Sequence, residues 1–481
     1  GKTGRIAKRL STAMWVIGAV LTQQAVYAAD ETLLLREPDI SKKHIAFVYA
    51  GDIWITDRKG KNARRLTSHP AGEINPTFSP DGREVAFTAN YDGNNDVYVI
   101  SVDGGQPKRL TYHPGTDMVN GWTSDGKKVV FASRREVKSG RSNQIYHIAK
   151  DGGYPEKMMD ALAYEGEWSS DGERFAYRPH RQAYFGASGW RQYRGGATPP
   201  IWIYSPSDGA LEKIPHDRVN DTNPMWLKDT VYFISDRADG AMNIHGYDTK
   251  TKKLEQLTKE TVWDVRSAGA YGDKIIYETA GHLKELNVKS GRSKDIDILI
   301  NPDLPELRPQ WKDASRTLQS IALSPTGKRA LLSARGDVFT VPVKDGSTRN
   351  LTKSTGIREG SALWSPKGGE IAYISDEGMK HTLVIAPQTG IGKVRRLSLG
   401  DTGYFSLLEW SAKANRIIYS DNHLGLFAID LTSGERTQIA KMQRRAPMSV
   451  SLSKDGEWLA YTAPRTNFFD DVMLFSFESG E

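Results

Sequence analysis

No cysteine occurs anywhere in the 481 residues, so no disulfide can staple this chain and its stability has to come from core burial. Past residue 28 there is no apolar run long enough to cross about 30 Å of hydrocarbon as a helix, so no membrane span is expected in the remainder. Charge of one sign is also scarce: the formal net charge is +7, and four of the positives (Lys2, Arg5, Lys8, Arg9) sit in the first ten residues. The concentrated basic face that a nucleic-acid partner would need is therefore missing. Signatures of chemistry are absent too. There is no Gly-x-Ser-x-Gly nucleophile elbow, no His-Glu-x-x-His helix, no phosphate-cradling Gly-x-x-x-x-Gly-Lys and no EF-hand loop. Ten His are spread singly, at positions such as His69, His113, His180, His216 and His282, whereas zinc needs three or four ligands converging on one point. No metal and no cofactor are expected, and no catalytic residue is assigned.

The basic first residues precede an apolar stretch from Ala13 to Leu21 and then Val26-Tyr27-Ala28, with small residues at the usual cleavage positions. That order reads as a secretory signal peptide, residues 1–28, and points to a periplasmic or secreted protein.

The dominant feature of the rest is a repeat. Pro80-Asp81-Gly82, Ser124-Asp125-Gly126 and Ser170-Asp171-Gly172, and later Ser324-Pro325-Thr326-Gly327, Ser365-Pro366-Lys367-Gly368, Ser411-Ala412-Lys413 and Ser453-Lys454-Asp455-Gly456, recur roughly 41–46 residues apart within each group. Each is a tight-turn sequence. Before most of these turns stands a short strand ending in an aromatic (Phe78, Trp122, Trp168, Trp364, Trp410). After them come alternating runs such as Glu84-Val85-Ala86-Phe87-Thr88 and Arg416-Ile417-Ile418-Tyr419-Ser420, which have the period-two pattern of strands. A third run (Asp96-Val97-Tyr98-Val99) and a fourth ending near Arg109-Leu110-Thr111 complete the unit. Four strands per period is the blade of a β-propeller. Because a lone blade leaves both faces of its sheet bare, the aromatics are read first as packing between blades.

The fold class is therefore all-β: a six-bladed β-propeller over residues 32–300, a Pro-rich linker over 301–316, and a second propeller of the same repeat from 317 to 481. The second array shows three full blades and a fourth whose last strand would fall beyond Glu481, so it is read as C-terminally truncated. Leu33-Leu34-Leu35 is taken as the inner strand of the first blade, so that the ring closes without exchanging a strand. The fourth blade carries an insertion, Pro179 to Pro200, rich in Arg and aromatics. Long loops in compact domains tend to be functional, and guanidinium forks suit carboxylates and carbonyls. Arg181, Arg191, Tyr193 and Arg194 are the candidate substrate-channel residues, set against the plainer possibility of a loop that covers the blade edge. The insertion also holds Gly186-Ala187-Ser188-Gly189-Trp190, which lacks the strand-turn-helix setting of a nucleophile. Arg134-Arg135 with Lys138 and Arg141 forms a second basic loop, read as a solvated face. His69 and His113, at equivalent places in successive blades, suggest a structural loop contact.

Pro38-Asp39-Ile40 followed by Ile45-Ala46-Phe47-Val48 and Gly51-Asp52-Ile53-Trp54, the Phe-Ser-Pro-Asp-Gly turn, and Gln192-Tyr193-Arg194-Gly195-Gly196 leading into Ile201-Trp202-Ile203 together resemble the N-terminal half of tricorn-type proteases. The resemblance covers residues 32–481. It implies a seven-bladed second ring, a serine peptidase site in C-terminal domains that this chain does not contain, a peptide or unfolded polypeptide as substrate, and a homo-oligomer, often a hexamer. In that family a pair of Arg just ahead of the third inner strand anchors the substrate's C-terminus. The matching stretch here, Gly115-Thr116-Asp117-Met118-Val119-Asn120, has no Arg, so that anchor is not carried over. The alternative is a TolB-like periplasmic propeller that binds proteins without enzymatic activity. A prolyl-oligopeptidase-like cap fits less well, because the break near Pro302 divides the strands into two arrays.

Overall fold

The computed structural model describes residues 32–481 except 139–141, 183–192, 239, 302–310, 402, 444 and 466–468. The segment read as a signal peptide, most of the Pro-rich break, and Arg141 of the basic loop lie outside the described residues. Among the described residues the chain forms ten antiparallel sheets, nine of four strands and the last of three, each built from consecutive strands. Six sheets fall between Arg36 and Ile296 and four between Leu318 and Ser476. The molecule is thus all-β, with two tandem propeller arrays.

The repeated turn residues are local clasps. Ser79 Oγ accepts the Glu84 N–H at 3.0 Å and donates to Asp81 at 2.6 Å, while the same carboxylate accepts the Arg83 N–H. This closes the hairpin between the first and second strands of a blade, with Gly82 at φ +72°, a region open to glycine at little cost. Thr123 and Asp125, Ser169 and Asp171, and Ser453 and Asp455 repeat the arrangement. The recurring Leu-Thr has its own role. The hydroxyls of Thr67, Thr111, Thr258 and Thr352 accept the N–H of Ile53, Val97, Ile244 and Val338 at 2.8–3.2 Å, fastening the end of the fourth strand to the third. His69 and His113 also act alike: each Nδ1 accepts a backbone N–H two residues on, from Ala71 and Gly115.

Packing between blades supplies the cores. Trp122, Val129 and Phe131 of the third blade bury against Ala86, Val97, Val99 and Leu110 of the second. The ring closes in the same way, with Leu35, Ile45 and Phe47 of the first blade against Ile276, Leu283, Ile296 and Ile298 of the sixth. Arg58 adds an ion pair to the buried Glu285 at 3.0 Å. Gly60, at φ +77°, lies where a Cβ would come within 2.9 Å of the Asp297 carbonyl. The first inner strand differs from the sequence reading. It is Arg36–Ile40, paired with His44–Tyr49, and Leu33–Leu35 runs ahead of it along the sixth blade. Thr32 N–H bonds to Ile298 O and Leu35 N–H to Gly281 O, so these residues satisfy their backbone on the last blade. Among the described residues no strand is exchanged: the first and sixth sheets each use four consecutive strands. The two arrays touch where Trp263 meets His381 edge-on, with ring centroids 5.9 Å apart.

Candidate functional site: the axial channel of the six-bladed ring

Six inner strands (Arg36–Ile40, Glu73–Phe78, Asp117–Trp122, Glu165–Trp168, Asp221–Leu227 and Val265–Tyr271) wall a cavity of about 670 Å³ on the ring axis, within the size range of ligand sites. Several of these strands are bulged, with register breaks at Arg36/Asp39, Ile74/Thr77 and Thr222/Met225. Glu37, Asn75 and Asn223 take left-handed φ of 48°, 57° and 55°. Such a bulge turns both a side chain and an unpaired N–H toward a neighbour.

The result is a chain of bonds around the bore. The Glu37 N–H donates to Glu278 of the sixth blade, Asn75 N–H to Glu37, Gly166 N–H to Asn120, Asn223 N–H to Glu165 and Ala268 N–H to Asn223. Trp122 Nε1–H closes the step from third blade to second, reaching Thr77 O at 3.0 Å. Polar groups that would otherwise be orphaned on the wall thus join each blade to the next.

Two blades carry acids at a further position, one residue before the aromatic or Ile40 that ends the motif. Asp39 pairs in register with Ala46 and Glu167 with Ala176, so they occupy the same level. They belong to the first and fourth blades, which face each other across a six-fold ring. Asp39 accepts the Phe78 N–H at 2.7 Å, and the backbone N–H of Trp226 lies beside Glu167. Among the described residues, no Lys or Arg pairs with either. Burial pushes Asp39 up to about 7; burial, with the facing Asp39, pushes Glu167 up to about 8. Gly269 of the sixth blade leaves room for the Asp39 carboxyl, which a Cβ there would strike. Glu37 and Glu165 form the level above. Glu37 is raised, chiefly by burial, while Glu165 is held by Arg178 at 2.7 Å.

A further buried acid, Glu73, lies at the start of its inner strand. It accepts from Tyr91 at 2.7 Å and Thr67 at 2.8 Å, and burial raises it to about 7. Its oxygens are occupied by these internal bonds, which mark it as part of the scaffold. Among the described residues, no group of three or more His, Asp or Glu is arranged to hold a metal ion.

The residues proposed from sequence fall elsewhere. Arg194 pairs with Asp236 at 2.8 Å and also donates to its carbonyl at 2.9 Å. Tyr193 is buried, and its carbonyl accepts from Asn220. These two tie the end of the insertion to the fifth blade. Arg181 is exposed; Arg191 and the Gly186–Trp190 motif lie outside the described residues. In the basic loop, Arg135 pairs with buried Asp117 at 2.8 Å and lies over the Phe131 and Tyr146 rings. Sequence reasoning passed over Glu37, Asp39, Glu165 and Glu167. The available signal was that Glu-Pro-Asp and Glu-Gly-Glu stand directly before the turn-preceding Ile40 and Trp168.

The Tricorn protease N-terminal beta propeller domain matches residues 32–292, and the Tricorn protease second beta propeller domain matches 318–481. Tricorn protease homolog 1 of Streptomyces coelicolor is 27% identical over 443 residues, covering 89% of this chain and 40% of that protein. The Tricorn protease homolog of Saccharolobus solfataricus is 25% identical, covering 91% and 40%. The crystal structure of the tricorn protease superposes with a TM-score of 0.51 at 21% identity, covering 93% of this chain and 44% of that one, a likeness of fold. The chain thus spans well under half the length of these curated relatives. With the first family domain alone accounting for more than half of its residues, this chain belongs to the tricorn protease family.

Proposed function

We propose that this chain is the propeller portion of an exported tricorn-like serine peptidase, in which it filters and conducts peptides or unfolded polypeptide and performs no bond cleavage itself. The observation that carries the reading is the axial cavity of about 670 Å³ walled by all six inner strands, in a chain whose relatives are named as proteases. A bore of this kind admits an extended chain and excludes a folded domain. Arg181 and the Arg194–Asp236 pair, from the two ends of the fourth-blade insertion, are groups that a passing chain would meet. Residues 1–28 direct export to the periplasm or beyond, and the working assembly is a homo-oligomer.

The test is to titrate a fluorescent unfolded polypeptide with the purified chain while following cleavage of the same polypeptide. Binding without hydrolysis, competed by unfolded but not by folded protein, is the result expected. Hydrolysis that disappears on changing a Ser of this chain overturns the reading, and so does equal competition by folded protein. Export is checked separately by fusing residues 1–28 to a reporter that is active only outside the cytoplasm.

A further inference from the structure

Two positions before each inner strand of the second to fifth blades stands a small or aliphatic residue: Ala71, Gly115, Ala163 and Val219. The sixth blade has Trp263 there, and its indole is turned to the other array. At the equivalent place in the third blade of the second array stands Gly403, at φ +108°. A Cβ added to it would lie 3.3 Å from Val262 and 3.4 Å from Trp263. One array thus supplies a knob and the other the space for it, at matching positions of the same repeat. His381, just ahead of the strand Thr382–Pro387, completes the seat. Its ring meets Trp263 edge-on at 5.9 Å and Tyr404 edge-on at 5.3 Å. Arg358 backs Tyr404, donating to its hydroxyl at 3.1 Å, with the guanidinium 5.4 Å from the ring centroid. Among the described residues, no strand of one array pairs with a strand of the other, so strand ladders do not reinforce this contact.

A second observation concerns the imidazole in the middle of the seat. Its Nδ1 is buried and has no hydrogen-bond partner among the described residues, while the Gly403 carbonyl lies beside the ring. An imidazolium carries an N–H on both nitrogens. Protonation would therefore leave a buried donor without an acceptor and place a charge at the joint. Of the charged groups facing it, Asp376 favours the cation, but its Oδ1 already accepts the Arg358 N–H at 2.7 Å, and Arg358 opposes the cation. Lys380 and Asp401, flanking the seat, pair with each other at 3.5 Å. From the first array, Asp264 accepts the Met242 N–H at 2.8 Å and Glu260 pairs with Lys284 at 2.9 Å, both within their own ring. Burial, with Arg358 adding to it, outweighs Asp376 and holds His381 below its ordinary value.

We propose that the seat formed by Trp263, His381 and Tyr404 is a pH-operated latch between the two propellers, closed while His381 is neutral and released when it takes a proton. The sign follows from linkage: a histidine held below its unfolded value contributes its stabilisation in full above about pH 6.5 and loses it as pH falls through the lower folded value. Neither ring unfolds; what changes is how firmly one holds the other. The latch stands independently of the peptide-channel reading, and it makes the alignment of the two rings depend on acidity.

The test uses the full chain, which has no native Cys. Donor and acceptor dyes are placed on Lys127→Cys in the first array and Glu435→Cys in the second, both exposed positions. Energy transfer is followed from about pH 8 to about pH 5, with far-UV circular dichroism recorded alongside. Expected is a change in transfer with its midpoint below about pH 6.5, the ratio of open to closed molecules rising by up to about tenfold per pH unit through the step. His381→Gln, which keeps an N–H and cannot become charged, should hold the closed value throughout. Trp263→Ala, which removes the knob from the other array, should show the open value throughout. A flat profile in the labelled parent, a step retained by His381→Gln, or a step that coincides with loss of the sheet signal overturns the latch. Should His381→Gln fail to fold, Trp263→Ala decides alone, since a profile matching the parent, step included, overturns it as well.

Discussion

The first strand of each array has the same place in its blade but a different environment. In the first array, Leu35, Ile40 and Phe47 are sealed against the sixth blade. In the second, the opening strand Leu318–Leu323 leaves Ile321 68% and Leu323 64% exposed, and the last sheet shows Val472 at 74% and Leu474 at 64%. The turns, registers and Leu-Thr clasps are alike in both. Burial is therefore a property of the ring and not of the blade. Each sheet covers one neighbour and is covered by the other, and hydrophobic stabilisation scales with the area so removed from water.

The sharpest way to break this comparison is to hollow out the closure. Phe47→Ala should cost about 3–5 kcal/mol in the unfolding transition of the first array, followed by tryptophan fluorescence in urea, with the transition of the second array unmoved. Next comes Gly60→Ala, which sets a Cβ against the Asp297 carbonyl and forces a left-handed φ on alanine. About 2 kcal/mol is expected, against about 1 for Gly327→Ala in the second array, where φ is +67° but the space is open. An effect confined to backbone strain would make the two equal.

pH separates the arrays more gently. Asp39 and Glu167 titrate at about 7 and about 8 in the folded chain, above their unfolded values, so between about pH 4 and 8 the folded state holds more protons than the unfolded state. Stability is thus fullest below that window and falls as pH rises through it. The first array should melt roughly a few degrees lower at the top of the window than at its foot, and Asp39→Asn/Glu167→Gln should lessen that slope, with Glu73, raised to about 7, keeping the rest; a slope unchanged by the double variant would place its origin in Glu73 and Glu37. The smallest effect is Ile321→Ala, within about 0.5 kcal/mol as for other exposed positions. A loss like that of Phe47 would show that this strand is covered in solution.

Much of the fold was legible because its determinants are local. The Ser-x-Asp-Gly turns, the alternation after them and the Leu-Thr ends each act within a few residues, and the period of repetition identified the blade. The strand boundary at Leu33–Leu35 was not legible, because those residues bond to Gly281 and Ile298, partners more than two hundred positions away. The surroundings of the candidate residues were not legible for a similar reason. Arg194 looked free in sequence, whereas its partner Asp236 comes from the next blade. Asp39 and Glu167 looked like ordinary strand-end acids until the ring set them face to face.

The sequence by itself determined the unit, its number of repeats in the first array, the division into two arrays and the kinship with tricorn proteases, since each is written in short-range pattern and spacing. Only the tertiary structure decided which blades oppose one another, which acids share the bore and which apolar strands are covered. Those follow from closing six twisted sheets around one axis, where contacts are made by position in the ring and not by distance along the chain.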